Sequence, residues 1–414
     1  MAVGRQIPRR SFLAAALAAG AFPFLPGCRS AFGRGKVRLA LIGVGGRGGF
    51  DLGRWAANGD LCEIAALCDA DMGGAGTLAA LKAYPDLPRF RDFRKMLDLV
   101  GDSVDAVAIA TPDHSHFVAA MHAMRLGKHV YVETPLAHTF RECELLARAE
   151  RETGVVCQMG DEGRSGARRR QFAALGERGE FKDAVKVIVR VNRPGRLRPG
   201  PAAARPPKTP RPMTLDWNAW LASAAPCGYN PAYANGGWRD WFDFGGGALG
   251  DLAVSCLGGL HEAVLGSGLP LGVTPLRATG WSACAVPDES TLSFAFEKAE
   301  LEWRQGPQKG AAVEVVRRNG RSWSSAKELP PIADPPSDAF RNFLLSVCGD
   351  ETPHTPFRVA APLCQTLALG RLAQQLNRPV RFDPIMRRVV GDAEAQRLLD
   401  GPAPRAGWEE YYRS

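Results

Sequence analysis

The stretch VRLALIGVGGRGGFDLGRWAANGDLCEIAALCD, residues 37–69, decides the fold. Val37–Ile42 is an apolar run with the length and branching of a buried strand. It breaks into Gly43-Val44-Gly45-Gly46-Arg47-Gly48, and a helix-length segment follows as far as Asn58-Gly59. A second apolar run, Cys62–Cys68, ends in Asp69. Strand, glycine turn, helix, strand and terminal acid, in that order, form the dinucleotide fingerprint. Gly43 permits the tight turn, Gly45 lets the backbone approach a pyrophosphate, and Gly48 lets helix pack on strand. Amides at the start of the helix are the phosphate donors. Asp69 falls about twenty residues after the last glycine, where an acid accepts the ribose hydroxyls and disfavours a 2′-phosphate. NAD is therefore expected, and NADP less so.

The alternation continues beyond Asp69. Helices are predicted over Gly73–Ala83 and Arg91–Val100, the second amphipathic through Phe93, Met96, Leu97 and Val100. A central strand, Val104–Ala110, ends at Thr111-Pro112-Asp113-His114-Ser115-His116, and a helix from about Ser115 to Leu126 stops at Gly127. Lys128–Val132 is a strand closed by Glu133-Thr134-Pro135. Thr139 caps a helix reaching about Glu152, with Glu142 placed to complete a capping box, and Val155–Met159 is the last strand of this half. The pattern predicts an α/β fold with a doubly wound parallel sheet, whose ligands sit at the carboxyl ends of the strands. The segments at Gly43, Thr111 and Glu133 all fall at such ends, so one shared site is expected.

Residues 1–35 read as an address and linker. Pro8-Arg9-Arg10-Ser11-Phe12-Leu13, followed by the apolar Leu13–Leu25, resembles a twin-arginine export signal, a label read by the export machinery. The apolar run is shorter than the ~20 residues that span a bilayer. Leu25-Pro26-Gly27-Cys28 resembles a lipoprotein box with proline where a small residue is usual, leaving both lipidation at Cys28 and plain cleavage open. A periplasmic or extracytoplasmic location is expected.

Composition bounds the rest. A chain of 414 residues predicts two domains: a dinucleotide-binding domain over 36–160 and a substrate and oligomerisation domain over 161–414. The net charge of +9 comes from an arginine excess clustered at Arg164–Arg170 and Arg190–Arg211. Solvated surface and an anionic sugar substrate are both compatible with it. No aromatics interleave with these clusters, so a nucleic-acid partner is not indicated. The ten cysteines include no C-x-x-C pair and no zinc spacing, so no metal is expected. Cys62, Cys68, Cys143, Cys157, Cys256 and Cys364 lie in apolar runs and read as buried thiols.

The second half has a different texture. A helix over Ser165–Gly179 leads into a strand, Ala184–Asn192, and then a basic, proline-rich loop, Arg193–Pro212. An aromatic cluster follows: Trp217, Trp220, Tyr229, Tyr233, Trp238, Trp241, Phe242 and Phe244. Short alternating strands at Thr291–Phe296, Ala299–Trp303 and Val313–Arg317 predict an open, mostly antiparallel sheet, and the helix Val359–Leu376 is expected to return to the first domain.

Gly43–Gly48, Ala110–His116, Gly127–Glu133, Pro135–Thr139, Thr214–Trp217 and Asp243–Asp251 together carry a resemblance. The chain is similar to the Gfo/Idh/MocA oxidoreductases (glucose–fructose oxidoreductase, inositol dehydrogenase and relatives). It most resembles their exported twin-arginine branch, which is related to NAD-dependent N-acetylgalactosaminidases. The resemblance implies a Rossmann domain, a C-terminal α/β domain often used to form homo-oligomers, and hydride exchange between NAD(P) and a sugar or cyclitol. It implies cofactor contacts from Gly43, Gly45, Gly46, Arg47, Gly48, Asp69, Thr111, Pro112, His114, His116 and Glu133.

The chain departs from that family where the chemistry belongs. The family's Glu-Lys-Pro is Glu133-Thr134-Pro135 here, and its Asp with His four positions later is Asp251 with Ser255. Its Gly-Asn-Gln-Gly-His-Ser-Gly is Gly160-Asp161-Glu162-Gly163-Arg164-Ser165-Gly166. A positioned acid or base contributes roughly 10²–10⁴-fold to proton transfer, and neither threonine nor a lone serine supplies one at neutral pH. Asp161, Glu162 and Asp251 are the candidate replacements, with Thr134, Arg164, Trp238 and Arg239 as substrate contacts. A redox-neutral glycosidase or lyase, and a catalytically weak carbohydrate-binding protein, are the alternatives.

Overall fold

The computed structural model describes residues 35–160, 165–195, 204–234, 236–307, 309–310, 312–325, 329–332 and 336–413. The export signal, Cys28, Asp161, Glu162 and Arg164 lie outside the described residues.

The first sheet contains β1 (Val37–Ile42), β2 (Cys62–Cys68), β3 (Arg89–Phe90), β4 (Ala106–Ile109), β5 (His129–Val132) and β6 (Cys157–Met159). They pair in parallel in the order β3-β2-β1-β4-β5-β6. Strand order reverses between β1 and β4, which opens a crevice at their carboxyl ends. Gly43 and Ala110-Thr111 face each other across it: a Cβ on Gly43 would lie 2.7 Å from the Ala110 carbonyl oxygen, and Gly43 has φ +82°. Only glycine tolerates that approach in that backbone region.

The connecting helices explain themselves locally. Phe140–Thr153 begins with the expected capping box: Thr139 Oγ1 accepts from the Glu142 amide at 3.2 Å, and the Thr139 amide donates to Glu142 Oε2 at 2.9 Å. Gly154, at φ +67°, ends that helix in the left-handed conformation glycine favours. Gly46–Ala56 buries Trp55 edge-on against Tyr131 of β5, with ring centroids 5.0 Å apart.

The second sheet contains β7 (Ala184–Val191), β8 (Gly272–Thr279), β9 (Glu289–Ala295), β10 (Glu300–Gln305), β11 (Val313–Arg317), β12 (Ser322–Ser324), β13 (Val380–Asp383) and β14 (Arg388–Val389). Its order is β12-β11-β7-β10-β9-β8-β13-β14, antiparallel except where β10 runs alongside β7. The return helix spans Phe357–Leu376 and packs on Phe140–Thr153 of the first half, its Cys364 thiol receiving the Leu136 amide at 3.4 Å. A second helix, Ala339–Cys348, also crosses back and lays Phe340 against Trp55 and Tyr131. Five of the six cysteines expected inside are buried; Cys256 is only half-buried, on a helix face that is partly open.

A third link joins the halves near β2. The segment before Trp217 crosses the loop after Asp69 as an antiparallel bridge between Asp71 and Leu215. The Met72 amide donates to the Thr214 carbonyl at 3.2 Å, and the Asp216 amide to the Ala70 carbonyl at 2.8 Å.

Candidate functional site

A single cavity of about 890 Å³ runs from the glycine turn into the second half. One end is floored by Gly43, Gly45, Gly46, Arg47 and Asp69; Thr111, Pro112, His116, Glu133 and Thr134 line its middle. Trp217, Trp220, Tyr229 and Trp238 wall the far side, with Arg193, Arg239, Asp113 and Asp251 among them. The three strand ends singled out in the sequence thus meet in one place.

The dinucleotide end fits its group. The helix at Gly46 starts with no side-chain cap and no acid in its first turn, so its opening amides are left to a ligand anion. A Cβ on Gly48 would overlap the carbonyl oxygen of Gly43, so only glycine lets this helix sit so close to β1. Asp69, expected at the ribose, is bonded to the turn itself. Its Oδ2 accepts from the amides of Val44 and Gly45 at 3.0 and 3.1 Å, and its Oδ1 from the Asp71 amide at 3.0 Å. Burial pushes this carboxyl up, against those amides and the Thr77 hydroxyl. The acid therefore also shapes the turn.

Arg47 and Glu133 are brought together: Nη2 lies 3.3 Å from Glu133 Oε1, while Nε reaches Asp51 at 2.9 Å. The Tyr131 hydroxyl also donates to Glu133, at 3.2 Å. His116 braces two backbone segments, with Nδ1 2.8 Å from the Pro135 carbonyl and Nε2 2.8 Å from the Thr111 carbonyl. Burial holds its pKa below the usual histidine value.

His114 is a correction. Expected among the cofactor contacts, it does not line the cavity. It is buried between Trp220 and Phe244, with Nε2 2.9 Å from the Trp220 carbonyl, and burial lowers its pKa to about 4. The helix begins at Asp113, two residues earlier than its sequence pattern suggested, and that phase turns His114 away from the crevice.

Asp251 lines the cavity. Arg193 Nη1 lies 2.7 Å from its Oδ2, and Arg239 Nη1 lies 3.3 Å from its Oδ1. Arg239 also lies over the Trp238 ring at 4.2 Å. Thr134 Oγ1 is buried and has no hydrogen-bond partner among the described residues. The loop carrying Asp161 and Glu162 starts from Gly160, where a Cβ would meet Glu133 Oε1 and the Tyr131 hydroxyl at 2.5 Å.

Sequence reasoning missed Asp113 as a site residue. It is 2% exposed, and burial, with Asp251 facing it, raises its carboxyl to about 8. Arg239, Arg371 and the Gly246 amide pull in the opposite direction. It stood in the quoted motif, but its partner is far along the chain, so the sequence carried no signal for the pairing. Arg193 was visible only as the first residue of a basic loop.

Residues 37–161 match the Gfo/Idh/MocA family, described as an oxidoreductase family with an NAD-binding Rossmann fold. The chain is 35% identical over 124 residues to 4-carboxy-2-hydroxymuconate-6-semialdehyde dehydrogenase of Sphingobium sp., covering 30% of this chain and 38% of that one. It is 33% identical over 129 residues to an alpha-N-acetylgalactosaminidase of Bacteroides fragilis, covering 30% of each. The chain thus spans about a third of the length of the curated relatives it matches. Among solved structures, the WlbA dehydrogenase of Bordetella pertussis, in complex with NADH and UDP-GlcNAcA, superposes with a TM-score of 0.60 at 20% identity, covering 84% of this chain and 99% of that one. GenD2 from gentamicin A biosynthesis, in complex with NAD, gives 0.58 at 18%, covering 84% and 97%. These likenesses show that the two-sheet architecture is shared. Residues 37–161 are therefore similar to the NAD-binding Rossmann domain of the Gfo/Idh/MocA oxidoreductase family.

Proposed function

We propose that this protein is an exported NAD-dependent oxidoreductase that oxidises a hydroxyl of a sugar, sugar acid or cyclitol, using carboxyl groups where relatives use lysine and histidine. The observation that carries the reading is the continuity of one cavity from the glycine turn and Asp69 to Asp251, Arg239 and Trp238. The nicotinamide, when bound, takes or gives the hydride. The protein's own task is to hold the polyol and move the hydroxyl proton. Thr134 cannot ionise at neutral pH, so the proton falls to carboxyls. Asp251, held between two guanidiniums, is the acceptor; Asp113, raised to about 8, keeps its proton. Two carboxyls in such different surroundings suit a division of labour. Asp161 and Glu162, following Gly160, are the remaining candidates, with Arg164 beside them. The aromatic wall supplies faces for a sugar ring, although Trp217 and Trp220 also stack on each other at 4.5 Å as part of a local core.

Export through the twin-arginine machinery, with or without a lipid at Cys28, is part of the proposal and rests on the N-terminal sequence. Homo-oligomer formation through the open sheet is supported by exposed apolar residues at its β8, β13 and β14 edge: Leu276, Ile385 and Met386.

The test is to purify the mature protein, denature it and identify any released dinucleotide, then follow NADH absorbance with a polyol panel. Asp251→Asn is expected to retain the dinucleotide and lose turnover by about 10²–10⁴-fold. A protein that neither contains nor takes up NAD ends the proposal. The alpha-N-acetylgalactosaminidase relative supports a second, redox-neutral reading, in which free sugar is released from a glycoside and no net NADH accumulates.

A further inference from the structure

The far end of the cavity carries more positive charge than it neutralises. Arg193 and Arg239 each place one nitrogen on a different oxygen of Asp251. Each guanidinium has five N–H donors in a fixed fork, so most of that donor capacity remains after one bond to a shared carboxylate. Arg193 Nη2 is buried and has no hydrogen-bond partner among the described residues. The other acid within reach, Asp113, is held largely protonated at neutral pH by its burial and by Asp251. Among the described residues, two guanidiniums therefore share the one carboxylate of Asp251, their side chains only 23% and 27% exposed. A partly buried cation without a full counter-charge favours an ion of opposite sign. The cofactor's pyrophosphate has donors of its own, the opening amides of the helix at Gly46–Ala56.

We infer that the substrate is an acidic sugar, an aldonate or uronate, whose carboxylate seats in the fork between Arg193 and Arg239 beside Asp251. This rests on the oxidoreductase reading and narrows it. A carboxylate matches the planar guanidinium forks and brings one negative charge for the one left over. A phosphate monoester brings about −1.5 to −2 and would overshoot. The arrangement also gives Asp251 two roles: it spaces the two guanidiniums, and it competes with the substrate for them.

The test uses the protein as purified with its own dinucleotide. Glucuronate, galacturonate, gluconate and galactonate are titrated calorimetrically beside glucose, galactose and glucose 6-phosphate. At least one acid is expected to bind tenfold or more tightly than its neutral counterpart and than the phosphate, and the margin should shrink as salt is added. Arg193→Gln and Arg239→Gln should each remove most of that margin, weakening the acid tenfold or more beyond any loss for its neutral counterpart. Asp251→Asn should widen it, which a purely structural role for the cluster does not explain and which needs no arginine variant to fold. Equal or weaker binding of every acid, or a margin that survives both arginine changes, overturns the inference. NADH absorbance, read on the same samples, separates the two claims. Acids that bind selectively but never reduce the nicotinamide leave the carboxylate seat standing and sink the oxidoreductase reading. Neutral sugars that reduce it while no acid is preferred do the reverse.

Discussion

Asp69, half-buried, and Asp113, fully buried, are acids at the mouths of strands, yet they answer to different partners. Asp69 is surrounded by donors, three amides and the Thr77 hydroxyl, and its negative charge organises the glycine turn. Asp69→Ala is expected to weaken NAD binding at least tenfold and to narrow the preference for NAD over NADP, as read by fluorescence titration of both; unchanged affinities would remove the acid from the ribose site. Asp113 faces Asp251, Arg239, Arg371 and the Gly246 amide, and the balance favours the neutral acid. Its folded value of about 8 exceeds the ordinary 3.8, so folding favours the protonated form. The stability this group contributes is complete below pH 3.8 and is lost as pH rises through 8. Asparagine cannot ionise and escapes that loss. The melting temperature of Asp113→Asn should therefore match wild type near pH 4 and exceed it increasingly up to pH 8; a constant offset across the range would mean that Asp113 does not titrate there.

Elements whose cause is local were legible in the sequence, and those whose cause is distant were not. Cys62–Cys68 came out residue for residue, because a short run apolar but for Glu63 stops sharply at Asp69. The box at Thr139 was equally plain, since both halves of it lie within four residues. Thr139→Ala should cost about 1 kcal/mol in denaturant unfolding, and restoring serine should recover most of it. By contrast, Ala339–Cys348 has its reason for existing in Trp55 and Tyr131, which no local pattern near residue 339 announces. The site divides the same way. The glycine turn, Glu133-Thr134 and Asp251 were readable as segments. Asp113 as a carboxyl partner, and Arg193 as a wall of the cavity, emerged only once the second half had folded over the first. His114 went astray because one helix starts two residues early.

At the scale of the molecule, the halves are joined by two returning helices and by the backbone bridge between Asp71 and Leu215. That bridge lies beside the loop that Asp69 anchors, and Gly73 is pressed against it: a Cβ there would fall 2.5 Å from the Thr214 side chain. Gly73→Ala should loosen the crossing and speed release of bound dinucleotide severalfold, measured by chasing with excess NADH, while the melting temperature moves little. Release as slow as in wild type would show that the crossing does not set the rate. The Trp238 side carries a tie of its own, the antiparallel bridge between Trp241 and Ala285. On the proposed reading, a dinucleotide kept behind the first tie is returned to its starting redox state in place, so a second reactant has to visit the same room.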